Sequence, residues 1–494
     1  MSLRELSPRG LLGRLARHTG VYAGGMVLQQ ATAALLLPLY IGFLSPAEFG
    51  IVALAEVLSA LLIAVLSLGT QNAVTRYWIE WDAEGDAARP TAAVWWITIA
   101  AALALTLLLQ LFGERPLGAL FRAPGFDAYL PLVLWYAFFT ALTQLPRALL
   151  RIREQARAFV VFSYATSLGT LLFNVLFVAV LRRGAEGVLI GNLLGAIVSV
   201  LACIPVMRGS VRPRWEPAAV RSSLRFALPL VPGAFLDAAV RGFDRWVLDK
   251  FVPLRVLGLY SVAMKVANLG LRTLMLTGFK TAWLPFAVRL NTERPDGRER
   301  TALLAEPILL VSAVVAVATV LFAEDVLVVL GDGYRDAGAY VTLLAVANLV
   351  MLFDLFAWVG LMMGGRTAYG TVAVGAQLVA AVALNLLLVP AYGATGAALA
   401  ALGSTSALIG VKMYYAQKTY PVPYRWRRIG VLMLTAVAVM ALAGSLERAY
   451  PGVSLAGFGL KLVALLGFAA LAAGLALPGL RAAAVGELHE GVAP

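Results

Sequence analysis

Five charged residues interrupt an otherwise apolar stretch near the middle of the chain, at Asp237, Arg241, Asp244, Arg245 and Asp249. The last four stand four, seven, eight and twelve residues after Asp237, which places all five on one face of a helix. Acids and arginines arranged in this way could bind ions or a charged ligand. They could equally pair with one another in a purely structural role, as Asp237 with Arg241 and Arg245 with Asp249.

A second polar group follows on the next apolar segment, at Lys265, Asn268, Arg272 and Lys280. Its members are again roughly aligned at helical period. Because the three cations have no acidic neighbour on their own segment, they need acidic partners from elsewhere. Glu56, an isolated acid in an earlier apolar segment, is one candidate partner.

Asp354 is a further isolated acid within an apolar segment. An ionised side chain that faces lipid costs a few kcal/mol or more, so we expect all these groups to point into a bundle, toward one another or toward water. The helix-interior charges are cationic in sum. They therefore predict a polar lumen that receives an anionic substrate.

Four arginines lie near short gaps between apolar segments, at Arg76, Arg147, Arg151 and Arg153. Guanidinium groups bind phosphate oxygens bidentately, so these residues could receive phosphate at the mouth of the lumen. Ordinary anchoring at the membrane surface explains them equally well. Lys412 and Lys461 lie near segment ends, where long side chains reach the interface, and we interpret both as snorkelling.

The composition is that of a polytopic helical membrane protein. The chain has 494 residues, of which 61% are hydrophobic and 14% charged, and many apolar runs have the length of about twenty residues that crosses a bilayer. The charged residues concentrate in the short gaps between these runs, a pattern that excludes a soluble fold. Anionic inner-leaflet lipid accounts for the net charge of +13 without nucleic-acid binding.

Several chemistries are excluded by residue content. Cys203 is the single cysteine and His18 and His489 are the two histidines, so neither an internal disulfide nor a Cys/His metal cluster can form. No GxxxxGK[ST] phosphate-binding loop occurs, which argues against ATP hydrolysis. We therefore predict neither enzymatic activity nor a cofactor.

The apolar runs predict fourteen helices. The predicted segments are 19–41, 48–69, 91–112, 128–147, 158–181, 185–206, 223–249, 256–288, 301–323, 337–362, 367–389, 394–417, 429–447 and 457–479. Arginine and lysine are concentrated in the gaps on one side, which the positive-inside rule makes cytoplasmic. Both termini then face the cytoplasm.

Matched motifs indicate that the chain consists of two related halves. The corner from Phe43 to Gly50 returns about 208 residues later as the corner from Phe251 to Gly258. The Gly-Ala-Glu-Gly motif that begins at Gly184 returns at nearly the same period as Gly-Ala-Thr-Gly at Gly393, and Asn174 and Asn385 precede them. An even number of helices per half predicts parallel repeats around a central cavity. Gln29 corresponds to Asp237 under this offset, so the two would line opposite walls.

The predicted organisation is an all-α protein of two six-helix lobes and a C-terminal helix pair. Its parts are a basic cytoplasmic N-terminus (1–18), an N-lobe (19–206), a cytoplasmic linker (207–222), a C-lobe (223–417), the helix pair (418–480) and a cytoplasmic tail (481–494).

With this organisation and several local motifs, the chain resembles the Wzx-type lipid-linked oligosaccharide flippases, the bacterial polysaccharide biosynthesis proteins of the multidrug/oligosaccharidyl-lipid/polysaccharide exporter superfamily. The motifs are the corner Leu44-Ser-Pro-Ala-Glu-Phe-Gly50, the stretch from Arg147 to Phe159, Asp244-Arg245 followed by Gly258-Leu-Tyr-Ser, the loop Gly331-Asp-Gly-Tyr334, and Pro390-Ala-Tyr-Gly-Ala-Thr-Gly-Ala-Ala398. The resemblance covers nearly the whole chain, and the order and spacing of the motifs carry more of it than any single one.

This resemblance implies that an undecaprenyl-diphosphate-linked glycan is moved from the cytoplasmic to the outer leaflet of the bacterial inner membrane by alternating access. The diphosphate would lie against basic groups while the glycan fills the polar cavity and the prenyl tail stays in the bilayer. Protonation of an acid such as Asp237, Asp244 or Glu56 would couple the cycle to a proton or sodium gradient. Polysaccharide polymerase or export proteins would be its partners in O-antigen, capsule or exopolysaccharide assembly.

The predicted site has two parts. The predicted substrate-binding residues are Arg241, Arg245, Lys265, Arg272, Lys280, Arg76 and Arg151. The predicted polar-lumen or ion-coupling residues are Gln29, Glu56, Asp237, Asp244, Asn268 and Asp354.

Three alternatives stay open. A MATE-like multidrug or ion antiporter would favour acidic sites for cationic drugs, against the cationic sum seen here. A lipid II flippase of the MurJ type shares the fourteen helices and a basic cavity. A membrane glycan polymerase or ligase would also handle lipid-linked sugars, but such enzymes usually carry a large catalytic loop outside the membrane, and the outer gaps here are short.

Overall fold

The computed structural model describes residues 32, 34–210, 212–272, 279–449 and 455–490. Within these ranges the chain is nearly all helical and contains no strand. The chain divides into two compact units, Met1–Gly258 and Leu259–Pro494, which we call the first and second unit.

The helices of the first unit are α1 (Ala34–Phe43), α2 (Pro46–Leu66), α3 (Thr70–Ala83), α4 (Ala88–Phe112), α5 (Glu114–Ala119), α6 (Leu130–Leu142), α7 (Gln144–Ile152), α8 (Ala156–Asn174), α9 (Gly184–Cys203), α10 (Pro217–Ala227) and α11 (Val231–Phe251). Helix α12 (Leu254–Leu271) begins in the first unit and ends in the second. The remaining helices are α13 (Lys280–Glu293), α14 (Gly297–Leu330), α15 (Gly338–Met351), α16 (Asp354–Met363), α17 (Ala368–Thr419), α18 (Trp426–Ala449) and α19 (Leu455–Glu490).

The first of the matched corners begins α2 with a complete capping box. The Ser45 hydroxyl accepts from the Glu48 amide, and the Glu48 carboxylate accepts from the Ser45 amide at 2.8 Å, while Pro46 takes the first helical position. These contacts satisfy amides that have no partner within the helix. The corner therefore sets where α2 starts.

The glycines of the two matched corners pack against each other within the first unit. A Cβ atom on Gly258 would lie 1.7 Å from the Pro46 carbonyl oxygen, and one on Gly50 would lie 2.5 Å from the Leu254 carbonyl oxygen. Only glycine allows the two backbones to approach this closely. Further along, α11 packs on α2, with Gly242 against Val57.

The Gly-Ala-x-Gly motifs share two local features in the two units. Gly184 and Gly393 both adopt positive φ, at 57° and 55°, a conformation that side chains other than glycine rarely tolerate. The asparagine that precedes each motif donates to the carbonyl four residues earlier, from Asn174 at 2.9 Å and from Asn385 at 2.8 Å. This local likeness supports the predicted repeat, and the full repeat layout stays a prediction.

The core of the second unit forms where α16 and α15 pack on α17, while α18 and α19 pack on α14. Ala357, Leu361 and Ala416 are buried together between α16 and α17. Because these residues are small or unbranched at Cβ, the two helices come close enough for polar side chains to reach across.

Eleven helical stretches of the described residues are long and apolar enough to cross a membrane, which confirms the prediction of an all-α polytopic membrane protein. The prediction of fourteen helices is not tested fully, for three reasons. Only 34–43 of the first apolar helix is described, α17 runs through the Gly393 kink as one stretch, and the stretch 254–293 is interrupted at 273–278. The lobe boundaries likewise stay predictions.

Candidate functional site

The charged face of α11 is open at one end and closed at the other. Asp237 and Arg241 contact each other and are exposed, with 61% and 56% of their side-chain surfaces accessible. The Arg245 side chain is 13% accessible, and that of Asp249 is 1% accessible. Because α11 belongs to a candidate membrane span, Pro217–Phe251, the exposed pair lies where lipid would be unfavourable for charges.

Arg245 is surrounded by oxygen atoms. Its Nη1 lies 3.7 Å from the Glu56 carboxylate on α2, and its Nη2 donates to the Arg241 carbonyl oxygen at 2.7 Å. The Asp244 carboxylate lies 3.7 Å from the Arg245 Nε and accepts from the Arg245 amide at 2.8 Å. The structure therefore brings four of the predicted site residues of the first unit together, and joins Glu56 to the α11 face.

The predicted pair of Arg245 with Asp249 is wrong. Asp249 instead accepts from the main-chain amide of Arg122 at 2.5 Å and lies 3.5 Å from Lys250. Sequence spacing favoured the intrahelical partner, but Asp249 is near the end of α11, where the loop that follows α5 approaches it more closely. The other predicted pair, Asp237 with Arg241, is confirmed.

A network that we call the α11 latch ties the end of α11 to that loop. Besides the contact between Arg122 and Asp249, the Arg122 guanidinium donates to the Lys250 carbonyl oxygen at 2.8 Å. The Leu120 carbonyl oxygen accepts from Lys250 Nζ at 2.5 Å and from Trp246 Nε1 at 3.0 Å. The latch closes the end of the charged face that is opposite the exposed pair.

In the second unit, three predicted residues lie on or just beyond α12. The Asn268 side chain accepts from Asn348 Nδ2 at 2.9 Å, and the same amide donates to the Ala267 carbonyl oxygen at 3.1 Å. Lys265 is half-buried and Arg272 is exposed. This asparagine pair joins α12 to α15 and gives Asn268 a fixed place.

Asp354 is bridged by two lysines, a cluster that we call the Asp354 triad. Lys280 Nζ donates to Oδ2 at 2.6 Å and Lys412 Nζ donates to Oδ1 at 2.6 Å. The Asp354 side chain is 3% accessible, that of Lys412 is 11% accessible, and that of Lys280 is 35% accessible. The triad therefore joins α13, α16 and α17, and only Lys280 is substantially open.

The interpretation of Lys412 and Lys461 as snorkelling residues is wrong. Both are buried, and Lys461 donates to Asp325 Oδ2 at 2.7 Å. Their nearness to helix ends suggested a path to the interface, but the ammonium group of each donates to an acid on another helix. Sequence spacing gave no signal for either contact, because the acid lies 58 residues from Lys412 and 136 residues from Lys461.

The arginines of the predicted mouth do not share one environment. Arg76 pairs with Glu80 at 2.6 Å on the surface of α3, and Arg151 is exposed. Arg147 lies over the Phe162 ring at 5.3 Å. Arg153 donates to the Val206 carbonyl oxygen at 3.2 Å, and burial lowers the pKa of its guanidinium below the usual value.

Two further points concern Gln29 and metal ions. Gln29 lies outside the described residues. Among the residues that are described, no group of three or more His, Cys, Asp or Glu side chains could hold a metal ion.

Comparisons with known proteins give a family and a fold. The family described as polysaccharide biosynthesis protein matches residues 42–339. No curated protein matches the chain. Among solved structures, the lipid II flippase MurJ in an inward closed conformation has a TM-score of 0.65 at 14% identity, covering 92% of this chain and 98% of that one.

Two transporters of the MOP superfamily are also similar. An inward-facing multidrug resistance MATE family transporter has a TM-score of 0.62 at 18% identity, covering 82% of this chain and 96% of that one. A transporter from Pyrococcus furiosus, described as having a binding pocket of reverse polarity, has a TM-score of 0.51 at 16% identity, covering 82% of this chain and 95% of that one. These likenesses show the fold of MOP superfamily transporters.

Proposed function

Because the chain belongs to the polysaccharide biosynthesis protein family and has the fold of MOP superfamily transporters, we propose that it is a flippase for undecaprenyl-diphosphate-linked oligosaccharide. It moves this lipid from the cytoplasmic to the outer leaflet by alternating access, for assembly of a cell-surface polysaccharide such as O-antigen, capsule or exopolysaccharide. The observation that carries the proposal is the charged face of α11, exposed at Asp237 and Arg241 within a candidate membrane span.

Solvation determines where the exposed pair on the α11 face is stable. A carboxylate and a guanidinium group that face lipid are unfavourable by a few kcal/mol each, even when they contact each other. The same pair is stable beside water or beside a polar ligand. An exposed pair on a membrane-spanning helix therefore fits the wall of a hydrated transport path better than it fits a lipid-facing surface.

The substrate class follows from the cations. We assign the diphosphate to basic side chains among Arg241, Arg245, Lys265, Arg272 and Lys280, because its oxygens accept from guanidinium and ammonium groups. Arg76 and Arg151 would meet the headgroup first, at the cytoplasmic mouth. Gln29 and Asn268 offer amide groups to the glycan.

Acids on or against the α11 face supply the groups for coupling to an ion gradient. Protonation of Asp237, Asp244 or Glu56 would change the charge beside Arg241 or Arg245, since these groups lie on one face or against it. A proton or a sodium ion could therefore drive the cycle. Asp237→Asn should then remove the dependence of flux on a pH gradient, and a wild type that shows no such dependence would reject proton coupling.

The proposed orientation places both termini in the cytoplasm and the protein in the bacterial inner membrane, where polysaccharide polymerase or export proteins would receive its product. Cysteine labels introduced beside Arg151 and Arg298 test this orientation. Neither label should react with an impermeant reagent added outside intact cells. Ready labelling of either position would reverse the topology.

A second candidate is a flippase for lipid II. The observation that favours it is the coverage of 92% of this chain by the MurJ structure, against 82% by the MATE transporter. A MATE-like multidrug antiporter is the third candidate, and it shares the fold. All three candidates move different substrates, so transport specificity separates them.

The experiment is transport in liposomes that contain the purified chain. A fluorescent polyprenyl-diphosphate sugar is followed between leaflets, beside the same lipid without its diphosphate, a lipid II analogue and a cationic drug. Selective movement of the diphosphate-linked oligosaccharide supports the proposal. Preference for lipid II would favour the second candidate, and gradient-driven drug uptake without lipid movement would favour the third.

A matched pair of arginine variants tests the role of the exposed Asp237–Arg241 pair on α11. Arg241→Ala removes one member of the exposed pair on α11, and Arg289→Ala removes one member of a similar exposed pair, four residues apart, with Glu293 near the end of α13. Exposed pairs contribute only about 0.2–1 kcal/mol to stability, so both variants should fold. Flux should fall about tenfold in the first and stay unchanged in the second. Equal flux in both would reject a role for the α11 face.

A further inference from the structure

We propose that the Asp354 triad is an anion receptor in which Asp354 and Lys412 are positioning residues and Lys280 alone touches the ligand. The ligand chemistry is the phosphate oxygens of the transported lipid. This inference rests on the proposed function, because it assigns the diphosphate of that substrate to a defined group. It also gives Lys412 a role that its sequence position did not suggest.

The geometry leaves Lys280 available to a ligand. An ammonium group has three N–H donors, and the Lys280 ammonium uses one of them on Asp354 Oδ2 at 2.6 Å. The Lys280 side chain is the most accessible of the three. The two remaining donors of this accessible group can therefore donate to anionic oxygens without breaking the bond to Asp354.

Lys412 cannot serve in the same way. Its ammonium donates to Asp354 Oδ1 and lies 5.2 Å from the centre of the Trp358 ring. The side chain is nearly enclosed, so a ligand would have no approach to it. Lys412 acts through Asp354, whose two oxygens are each occupied by one lysine.

The charges of the triad do not balance. Asp354 supplies one negative charge and the two lysines supply two positive charges. In the described part of the second unit, no other carboxylate forms an ion pair with either ammonium. An excess cation at membrane depth is unfavourable unless water or an anion compensates it, and Lys280 is the open member through which compensation can come.

A second cross-link holds Lys280 in position. Trp283, three residues further along α13, donates from Nε1 to the Leu355 carbonyl oxygen at 3.2 Å, directly after Asp354 on α16. The Trp283 ring is buried and meets Phe356 edge-on. Two polar contacts between the same two helices fix the start of α13, so the Lys280 ammonium is presented from a defined place.

Charge arithmetic separates the possible roles. Lys412→Met leaves Lys280 and Asp354 as a neutral pair, so Lys280 is present but its charge is fully compensated. Asp354→Leu with Lys412→Met restores the single excess charge, yet removes both oxygen atoms that could hold the Lys280 ammonium. Lys412→Arg keeps both the charge and a donor to Asp354. The three variants therefore test charge, position and conservative rescue in turn.

The experiment measures binding of a fluorescent polyprenyl diphosphate to the full-length chain in nanodiscs of neutral phosphatidylcholine. Lys412→Met should weaken binding about tenfold or more, and Lys412→Arg should restore most of it. The double variant should bind more weakly than the wild type. Wild-type affinity in Lys412→Met would overturn the inference, and wild-type affinity in the double variant would overturn the positioning role of Asp354.

Lys461→Met is the matched control for folding. It removes another buried lysine from an aspartate of the same unit, Asp325, and should lower thermal stability without changing the affinity for the probe. If Lys461→Met weakened binding as much as Lys412→Met does, the effect would be structural and the inference would fail.

Two competitors identify the source of the phosphate. If inorganic pyrophosphate displaces the probe, the phosphate group alone is recognised. If pyrophosphate fails and unlabelled polyprenyl diphosphate displaces the probe, the lipid is also required. Both results support the receptor, whereas displacement by polyprenol without phosphate would overturn it.

The two proposals can fail separately. If the wild type binds the probe through its phosphate and Lys412→Met does not, but the wild type moves no lipid in liposomes, the flippase is rejected and the receptor is kept. Normal movement of the diphosphate lipid by Lys412→Met and Lys280→Met would reject the receptor and keep the flippase.

Discussion

In the described part of the second unit, lysines bridge two aspartates on helices of candidate membrane spans, and they do so in different numbers. In the described residues, Asp325 on α14 is bridged by one lysine, Lys461 of α19, at 2.7 Å. Asp354 on α16 is bridged by two lysines, each at 2.6 Å. Both aspartates lie within candidate spans, and 3% of the Asp354 side chain and 14% of the Asp325 side chain are accessible.

The difference is one of charge balance. A lysine paired with one aspartate compensates a charge that would otherwise be unfavourable in the interior, and a stabilising role in joining two helices suffices to explain it. A second lysine on the same carboxylate adds a charge that the pair does not compensate. The number of cations for each acid, rather than the presence of an ion pair, therefore points to a ligand.

The largest effect is expected when each aspartate is removed. Asp354→Ala leaves two lysines without their acid, the buried Lys412 and the half-buried Lys280, and Asp325→Ala removes the acid from only one. Breaking a buried pair by removing one partner costs about 3–5 kcal/mol, so the loss at Asp354 should exceed the loss at Asp325. Thermal unfolding of both variants in detergent measures the difference. Equal losses would mean that the second lysine does not depend on Asp354.

A smaller effect separates function from stability. Lys280→Met should reduce the flux of the diphosphate lipid about tenfold, while Lys461→Met should leave the flux per folded molecule unchanged. The reason is that Lys280 is the accessible member of an unbalanced group and Lys461 is buried against Asp325. Flux in liposomes, normalised to folded protein, decides between them. Equal reductions would remove the functional distinction between the two aspartates.

The smallest effect is expected at another acid of α14, Glu306, which is buried. Two arginines approach it, Arg425 at 3.7 Å and Arg428 at 3.9 Å, but both are exposed to a similar, substantial extent. Exposed cations are solvated by water, so the count of cations should matter little here. Arg428→Gln should change the free energy of unfolding by about 0–1 kcal/mol. A loss as large as that of Asp354→Ala would show that the count matters even when the cations are exposed.

Sequence reasoning found what depends on local pattern. The apolar runs predicted a polytopic helical protein, the spacing on α11 predicted the contact of Asp237 with Arg241, and the matched motifs predicted a local likeness that appears at Gly184 and Gly393. Each of these properties is set by residues within one or two helical turns. They can therefore be read without knowing which helices meet.

Sequence reasoning missed contacts between distant residues. Asp249 is bound by the amide of Arg122, which is 127 residues away, and Lys412 is bound to Asp354, which is 58 residues away. The sequence pattern favours Arg245, four residues away, as the partner of Asp249, and it favours the membrane interface as the place of the Lys412 ammonium. Tertiary packing supplied a closer partner, and spacing along one helix contains no information about it.

The α11 latch has a consequence for how far this sequence can diverge. In each of its four hydrogen bonds one partner is a main-chain atom: the Arg122 amide, the Lys250 carbonyl oxygen, or the Leu120 carbonyl oxygen, which accepts twice. Every residue except proline supplies an amide, and every residue supplies a carbonyl oxygen. The side chain of Leu120 can therefore be replaced over generations while the bonds to its carbonyl oxygen persist. Residue identity is required only of the partners that contribute side chains, which are Arg122, Trp246, Asp249 and Lys250.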